Sequence, residues 1–114
     1  MITSIAHFTM KAGKEELALK RLAAVRAQAE REQPGVVFYL VHRVLSKKTG
    51  RPTRKLMFYE SYVDDAALKR HLASKEWQAV VKGWTECFEG SSKVSFVSLE
   101  RIAGFVHLQA PIDA

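Results

Sequence analysis

Ten consecutive residues, Val36 to Leu45 (Val-Val-Phe-Tyr-Leu-Val-His-Arg-Val-Leu), constrain the fold of this chain more than any other segment. The run is dense in β-branched and aromatic residues, which fit a pleated surface. Side chains of a strand alternate between its two faces. Here both faces are apolar, with Val36, Phe38 and Leu40 on one side and Val37, Tyr39 and Val41 on the other. A sheet built around such a strand needs cover on both sides. Helices of the same chain can supply one layer. A second subunit is expected to supply the other, so the chain reads as a homodimer.

The flanking segments complete the sheet. Residues 2–10 alternate Ile2, Ser4, Ala6, Phe8 and Met10 against Thr3, Ile5, His7 and Thr9, which predicts a first strand. After the turn Lys11-Ala12-Gly13-Lys14, Glu15 and Glu16 open a helix, where acidic groups suit the macrodipole. Its buried stripe is Ala18, Leu22, Val25 and Ala29, with Lys20, Arg21 and Arg26 facing water. Gln33-Pro34-Gly35 ends it, because proline cannot continue a helix and glycine permits the turn. Beyond Leu45, residues 46–53 form a polar hairpin loop and Lys55 to Val63 an antiparallel strand. Asp64 is placed to cap a short helix from Asp65 to Ala73, and Ser74 to cap another carrying Trp77, Val80, Val81, Trp84 and Phe88. Gly90-Ser91-Ser92 is a loop, and Val94 to Ile102 a fourth strand.

The order β-α-β-β-α-β is the split βαβ arrangement. It predicts an α+β, ferredoxin-like domain over residues 1–102, with a four-stranded antiparallel sheet and helices on one face only. An apolar pocket is expected between sheet and helices. Residues 103–114 form a tail in which Phe105, Val106 and Leu108 could add a short strand at the dimer interface.

At 114 residues the chain has room for one domain, large enough to fold without disulfide or structural metal. Its single cysteine, Cys87, excludes an internal disulfide and a Cys-rich zinc site, and fits a reducing compartment. No apolar stretch approaches the roughly 20 residues that span a bilayer, so no membrane partner is expected. The opening Met1-Ile2-Thr3-Ser4-Ile5 lacks the basic region of a secretion signal, which points to the cytoplasm. The net charge of +6 is concentrated in Arg43, Lys47, Lys48, Arg51, Arg54 and Lys55, with no acidic residue among them. No aromatic residue interleaves this cluster between Lys47 and Lys55, so a solvated turn is favoured over a nucleic-acid surface.

Three segments carry a resemblance. Pro34-Gly35 is followed by a strand bearing Tyr39 and Arg43; Met57-Phe58-Tyr59-Glu60-Ser61-Tyr62 is similar to a Tyr-Glu-x-Trp strand, with Tyr62 in the place of Trp; and His71-Leu72-Ala73-Ser74-Lys75-Glu76-Trp77 matches a His-x-x-Ser-x-x-aromatic run at a helix break. In this order and spacing they resemble the antibiotic biosynthesis monooxygenase family of dimeric α+β barrel proteins, over about residues 2–101. The resemblance implies an oxidoreductase that inserts molecular oxygen into a small aromatic, quinol- or polyphenol-like substrate without a cofactor. Relatives degrade haem, isomerise small metabolites or decompose chlorite, so the fold does not fix the chemistry. A non-catalytic dimer that binds a small hydrophobic metabolite, or an isomerase of a hydroxylated compound, stands as the alternative. In the haem-degrading relatives the axial histidine aligns with Val81, a helix tryptophan with His71 and a strand asparagine with His7. Without an axial ligand haem is held poorly.

Among candidate site residues His71 comes first. It shares a helix face with Leu68 and Leu72 and is expected to point toward the sheet. A histidine in an apolar pocket can take a proton near neutral pH and serve as general base; bracing the helix break is the competing role. His7, Tyr39, Tyr59, Trp77 and Trp84 are candidates for binding the substrate ring. For each of them packing or solvation is an equally concrete alternative. The four histidines form no metal-ligating cluster, and no glycine-rich phosphate loop is present, so neither metal nor nucleotide cofactor is expected.

Overall fold

A computed structural model describes residues 1–92 and 96–107 of the chain. Its elements are β1 (Ile2–Thr9), α1 (Glu15–Glu32), β2 (Val36–Leu45), β3 (Pro52–Tyr62), α2 (Asp65–Leu72), α3 (Lys75–Lys82), α4 (Trp84–Cys87) and β4 (Phe96–Leu99). The strands form one antiparallel sheet in the order β2-β3-β1-β4. This is the ferredoxin-like α+β arrangement.

Register fixes which side chains share a face. Ala6 stands opposite Phe58, Phe8 opposite Leu56 and Val41 opposite Phe58. That face meets the helices. Its core joins Ala6, Phe8, Met10, Leu56 and Phe58 to Ala18, Leu22 and Val25 of α1, Trp77 and Val80 of α3, and Trp84, Cys87 and Phe88. Phe8 lies at the centre, with ring centroids 4.5 Å from Phe58, 4.9 Å from Trp84, 5.7 Å from Phe88 and 5.9 Å from Trp77. The stripe expected on α1 is the one buried, Ala18, Leu22, Val25 and Ala29. Arg21, expected to face water, instead reaches Glu86 at 2.7 Å and the Cys87 thiol at 3.1 Å.

The opposite face has no helical cover among the described residues. It carries Ile5 and His7 of β1, Met57 and Tyr59 of β3, Phe38, Leu40 and His42 of β2, and Val97 and Leu99 of β4. Val97 and Leu99 are 55% and 38% exposed, so this mainly apolar face leaves apolar surface open on the single chain.

Besides one-residue shifts at the ends of elements, four features differ from the sequence-based expectation. Val36 pairs with Tyr62 while Phe38 pairs with Ser61, so two residues of β2 oppose one of β3. This bulge moves Val36 to the helix side, away from Phe38 and Leu40. Second, the long helix expected after Ser74 breaks at Gly83, and Phe88 is extended, bridging to Met10. Third, β3 starts at Pro52 rather than Lys55. Fourth, β4 ends at Leu99, and residues 100–107 are not in a strand. Leu108, the last residue of the extra strand suggested for the tail, lies outside the described residues, as do Val94 and Ser95, with which the fourth strand was expected to begin.

Both expected N-caps, Asp64 of α2 and Ser74 of α3, are present. The Asp64 carboxylate accepts from the Ala67 amide at 2.8 Å, and the Ser74 hydroxyl from the Trp77 amide at 3.2 Å. Gly35 lets the turn before β2 sit against α2, since a Cβ there would lie 2.7 Å from the Ala67 methyl group. The entry of β2, the end of α1 and the start of α2 are thereby drawn together.

Candidate functional site

Beside this junction the helices and sheet leave a cavity lined by Phe8, Tyr39, Phe58, Glu60, His71, Leu72 and Trp77. Its volume is about 10 Å³, the space of a single water molecule. Apolar rings form most of the wall. The polar groups are few and convergent.

His71 is delivered by α2 as its last turn reaches the break, and is 2% exposed. Its ring lies between two tyrosines, with centroids 5.3 Å from Tyr39 and 5.5 Å from Tyr62. Burial disfavours the imidazolium ion and lowers its pKa from the ordinary 6.5 to about 4. At neutral pH the ring is therefore uncharged. Nδ1 lies 3.2 Å from the Gln33 side-chain oxygen, which ties α2 to the end of α1.

Glu60 is the residue that sequence reasoning passed over. It is 5% exposed, on the core face of β3 between Phe58 and Tyr62. Burial raises its pKa, and the hydrogen bond donated by the Tyr62 hydroxyl opposes part of that rise. Ser4 stands directly across from it on β1, and its buried hydroxyl has no partner among the described residues. Burial first, and the neighbouring Glu60 carboxylate second, hold the Tyr39 and Tyr62 hydroxyls above the usual tyrosine pKa. The alternation Leu56, Phe58, Glu60, Tyr62 was the available signal, because equal parity in a strand means a shared face.

Of the expected site residues, the structure brings His71, Tyr39 and Trp77 to one cavity. Three others lie elsewhere. His7 is exposed on the uncovered face opposite Met57, so the sheet itself separates it from His71. Tyr59 is on that same face, packed on Phe38 with centroids 5.0 Å apart. Trp84 is core: it stacks on Phe88 at 4.5 Å, and its indole N–H donates to the Glu89 carbonyl at 3.3 Å.

The six basic residues from Arg43 to Lys55 are exposed, and Arg54 is held by Glu89 at 3.3 Å and the Met10 carbonyl at 2.8 Å. Among the described residues no group of three or more His, Cys, Asp or Glu is gathered to hold a metal ion. Nor is any described helix long and apolar enough to cross a membrane.

Solved structures share this architecture. PA3566 from Pseudomonas aeruginosa is 25% identical, with 90% of this chain and 94% of that one covered and a TM-score of 0.71. SO0527 from Shewanella oneidensis is also 25% identical, covering 86% and 87% with a TM-score of 0.68. Rv0793 from Mycobacterium tuberculosis, 19% identical over 90% and 96% with a TM-score of 0.70, is similar in fold. No curated protein matches the sequence. The family model described as antibiotic biosynthesis monooxygenase matches residues 1–83 of the 114, a span that holds β1 through α3 and with them every residue lining the cavity. The chain belongs to the antibiotic biosynthesis monooxygenase family.

Proposed function

We propose that the chain is a cofactor-independent monooxygenase of small phenolic or hydroquinone-like aromatics, acting as a homodimer. The observation that carries this reading is a neutral, buried His71 at a cavity walled by aromatic rings, with the buried Glu60 carboxyl beside it. His71 takes the phenol proton. The imidazolium and phenolate so formed stabilise one another, offsetting the burial that weakens the resting base. The electron-rich phenolate then passes an electron to oxygen. Recombination forms a ring peroxide that takes the proton back from the His71 imidazolium, and loss of water from the resulting hydroperoxide leaves a quinone. One phenol and one O₂ thus give one quinone and one water, with no external reductant. Tyr39 and Trp77 would orient the ring.

The homodimer rests on the uncovered apolar face around Phe38, Leu40 and Tyr59, which a twin molecule would bury. The tail, with Ile102, Phe105 and Val106 exposed at 92%, 81% and 76%, is a second apolar element available to that partner.

Incubating the protein with hydroquinones under oxygen, without flavin or metal, tests the reaction. Formation of the hydroxylated quinone, carrying one atom from ¹⁸O₂, should track oxygen uptake one to one, and His71→Gln should abolish it. Full rate in that variant refutes the base assignment. A second reading, a dimer that binds a small hydrophobic metabolite without turnover, is supported by the mostly apolar wall of the cavity. It predicts saturable binding with no oxygen uptake.

A further inference from the structure

The side-chain hydrogen bonds leading to His71 have a direction. Gln28 Nε2 donates to the Glu32 carboxylate at 3.2 Å. Gln33 Nε2 donates in turn to Gln28 Oε1. That bond turns the amide nitrogen toward Gln28 and leaves the Gln33 oxygen facing His71, 3.2 Å from Nδ1. An amide oxygen accepts and cannot donate, so the proton of the neutral ring must sit on Nδ1. The backbone of Gln33 is held as firmly as its side chain. Its amide donates to the Ala29 carbonyl at 3.0 Å, and its carbonyl accepts from Val36 at 3.0 Å. Nε2 of His71 has no hydrogen-bond partner among the described residues, nor is it among their buried unpaired atoms.

We propose that Gln33, oriented by Gln28, is a positioning residue that fixes His71 in the Nδ1–H tautomer and so keeps a bare Nε2 lone pair for the substrate proton. This deepens the oxygenase reading and rests on it for the role of Nε2. The orientation works in both halves of the proton transfer. Before it, the Nδ1–H bond keeps the basic lone pair on the other nitrogen. After it, the same Gln33 oxygen remains hydrogen-bonded to the charged ring. A ring free to choose would spend part of its time with Nε2 protonated and unable to accept.

The test reads the tautomer directly, without substrate. Protein labelled with ¹⁵N at histidine and held near neutral pH gives long-range proton–nitrogen correlations that distinguish the two neutral forms. The His71 signals are assigned by their absence in His71→Gln. The expected result is Nδ1–H in the native chain. Gln33→Met should shift the ratio toward Nε2–H by about fivefold or more, what one neutral hydrogen bond is worth. Gln28→Met should shift it in the same direction by less. Gln33→Glu should keep Nδ1–H and raise the His71 pKa above about 4, because a carboxylate favours the imidazolium. Nε2–H in the native chain overturns the proposal, as does an unchanged ratio in Gln33→Met. If Gln33→Met does not fold, the native spectrum and the Gln33→Glu titration decide. If the tautomers behave as stated and no quinone forms, the oxygenase reading falls while the positioning role stands.

Discussion

Acidification from about pH 7 to about pH 4 should destabilise the native chain by about 3 kcal/mol more than it destabilises a His71→Gln variant. The imidazole of the unfolded chain binds its proton near 6.5, whereas the buried ring in the folded chain does so only near 4. Between those values the unfolded state holds the extra proton, so acid pulls the equilibrium toward unfolding. The contribution of neutral His71 is complete above 6.5 and lost as the pH falls through about 4. That gap, at about 1.4 kcal/mol per pH unit, gives the figure of about 3 kcal/mol. Glu60 works with the opposite sign. Its pKa is raised, so the unfolded state ionises first, and stability falls as the pH rises from about 4.5 through the folded value. Because Glu60 is present in both proteins, its effect drops out of the difference. Urea melts of the two proteins at intervals across this range, analysed by linear extrapolation, supply the measurement. A difference that stays flat within error, or a native His71 that titrates near 6.5, refutes the argument that burial keeps this ring neutral.

Replacing Glu60 by Gln removes the second of those trends. The decline in stability above about pH 4.5 should flatten, as followed in the same melts, and an unchanged slope would mean that Glu60 is not the titrating group. Gly35→Ala should destabilise the fold by about 1–3 kcal/mol, since the new methyl group would lie 2.7 Å from Ala67 Cβ; a shift in midpoint below a few tenths of a kcal/mol would show that α2 yields freely. Leu40→Lys places a charge on the uncovered face of the edge strand β2, opposite Tyr59. Sedimentation should show a native dimer and a variant monomer at micromolar concentration, and equal sedimentation of the two would locate the partner elsewhere.

Much of the fold was legible because its signals are periodic. The α1 stripe, the two polar caps at Asp64 and Ser74, and the succession of strands and helices along the chain follow from spacing and turn chemistry alone. What escaped was aperiodic. Trp77, Val80, Val81, Trp84 and Phe88 keep helical spacing straight through Gly83, so nothing in the pattern announced that the helix stops there. The β2 bulge inverts the parity of Val36, and strand alternation is blind to one inserted residue.

The site was half legible for a related reason. His71 and Tyr39 were found because their residue types advertise proton chemistry and ring contacts. Glu60 was overlooked because a lone acid in a strand normally faces water, although Phe58 and Tyr62 share its parity. Gln33 was read only as the end of a helix. Its link to His71 joins residues 38 apart in sequence, a contact that only the packed junction creates. His7 could have been placed on the outer face by the same parity that buries Ala6 and Phe8.

The resting cavity has room for about one water molecule, whereas a pocket that takes up benzene measures on the order of 150 Å³. A ring can therefore enter only if part of this wall swings aside first. Uptake limited by such a wall movement has a kinetic consequence. The observed rate of ligand capture should level off at high ligand concentration, at the frequency with which the closed form opens. Affinity would then be reduced by the fraction of time spent shut.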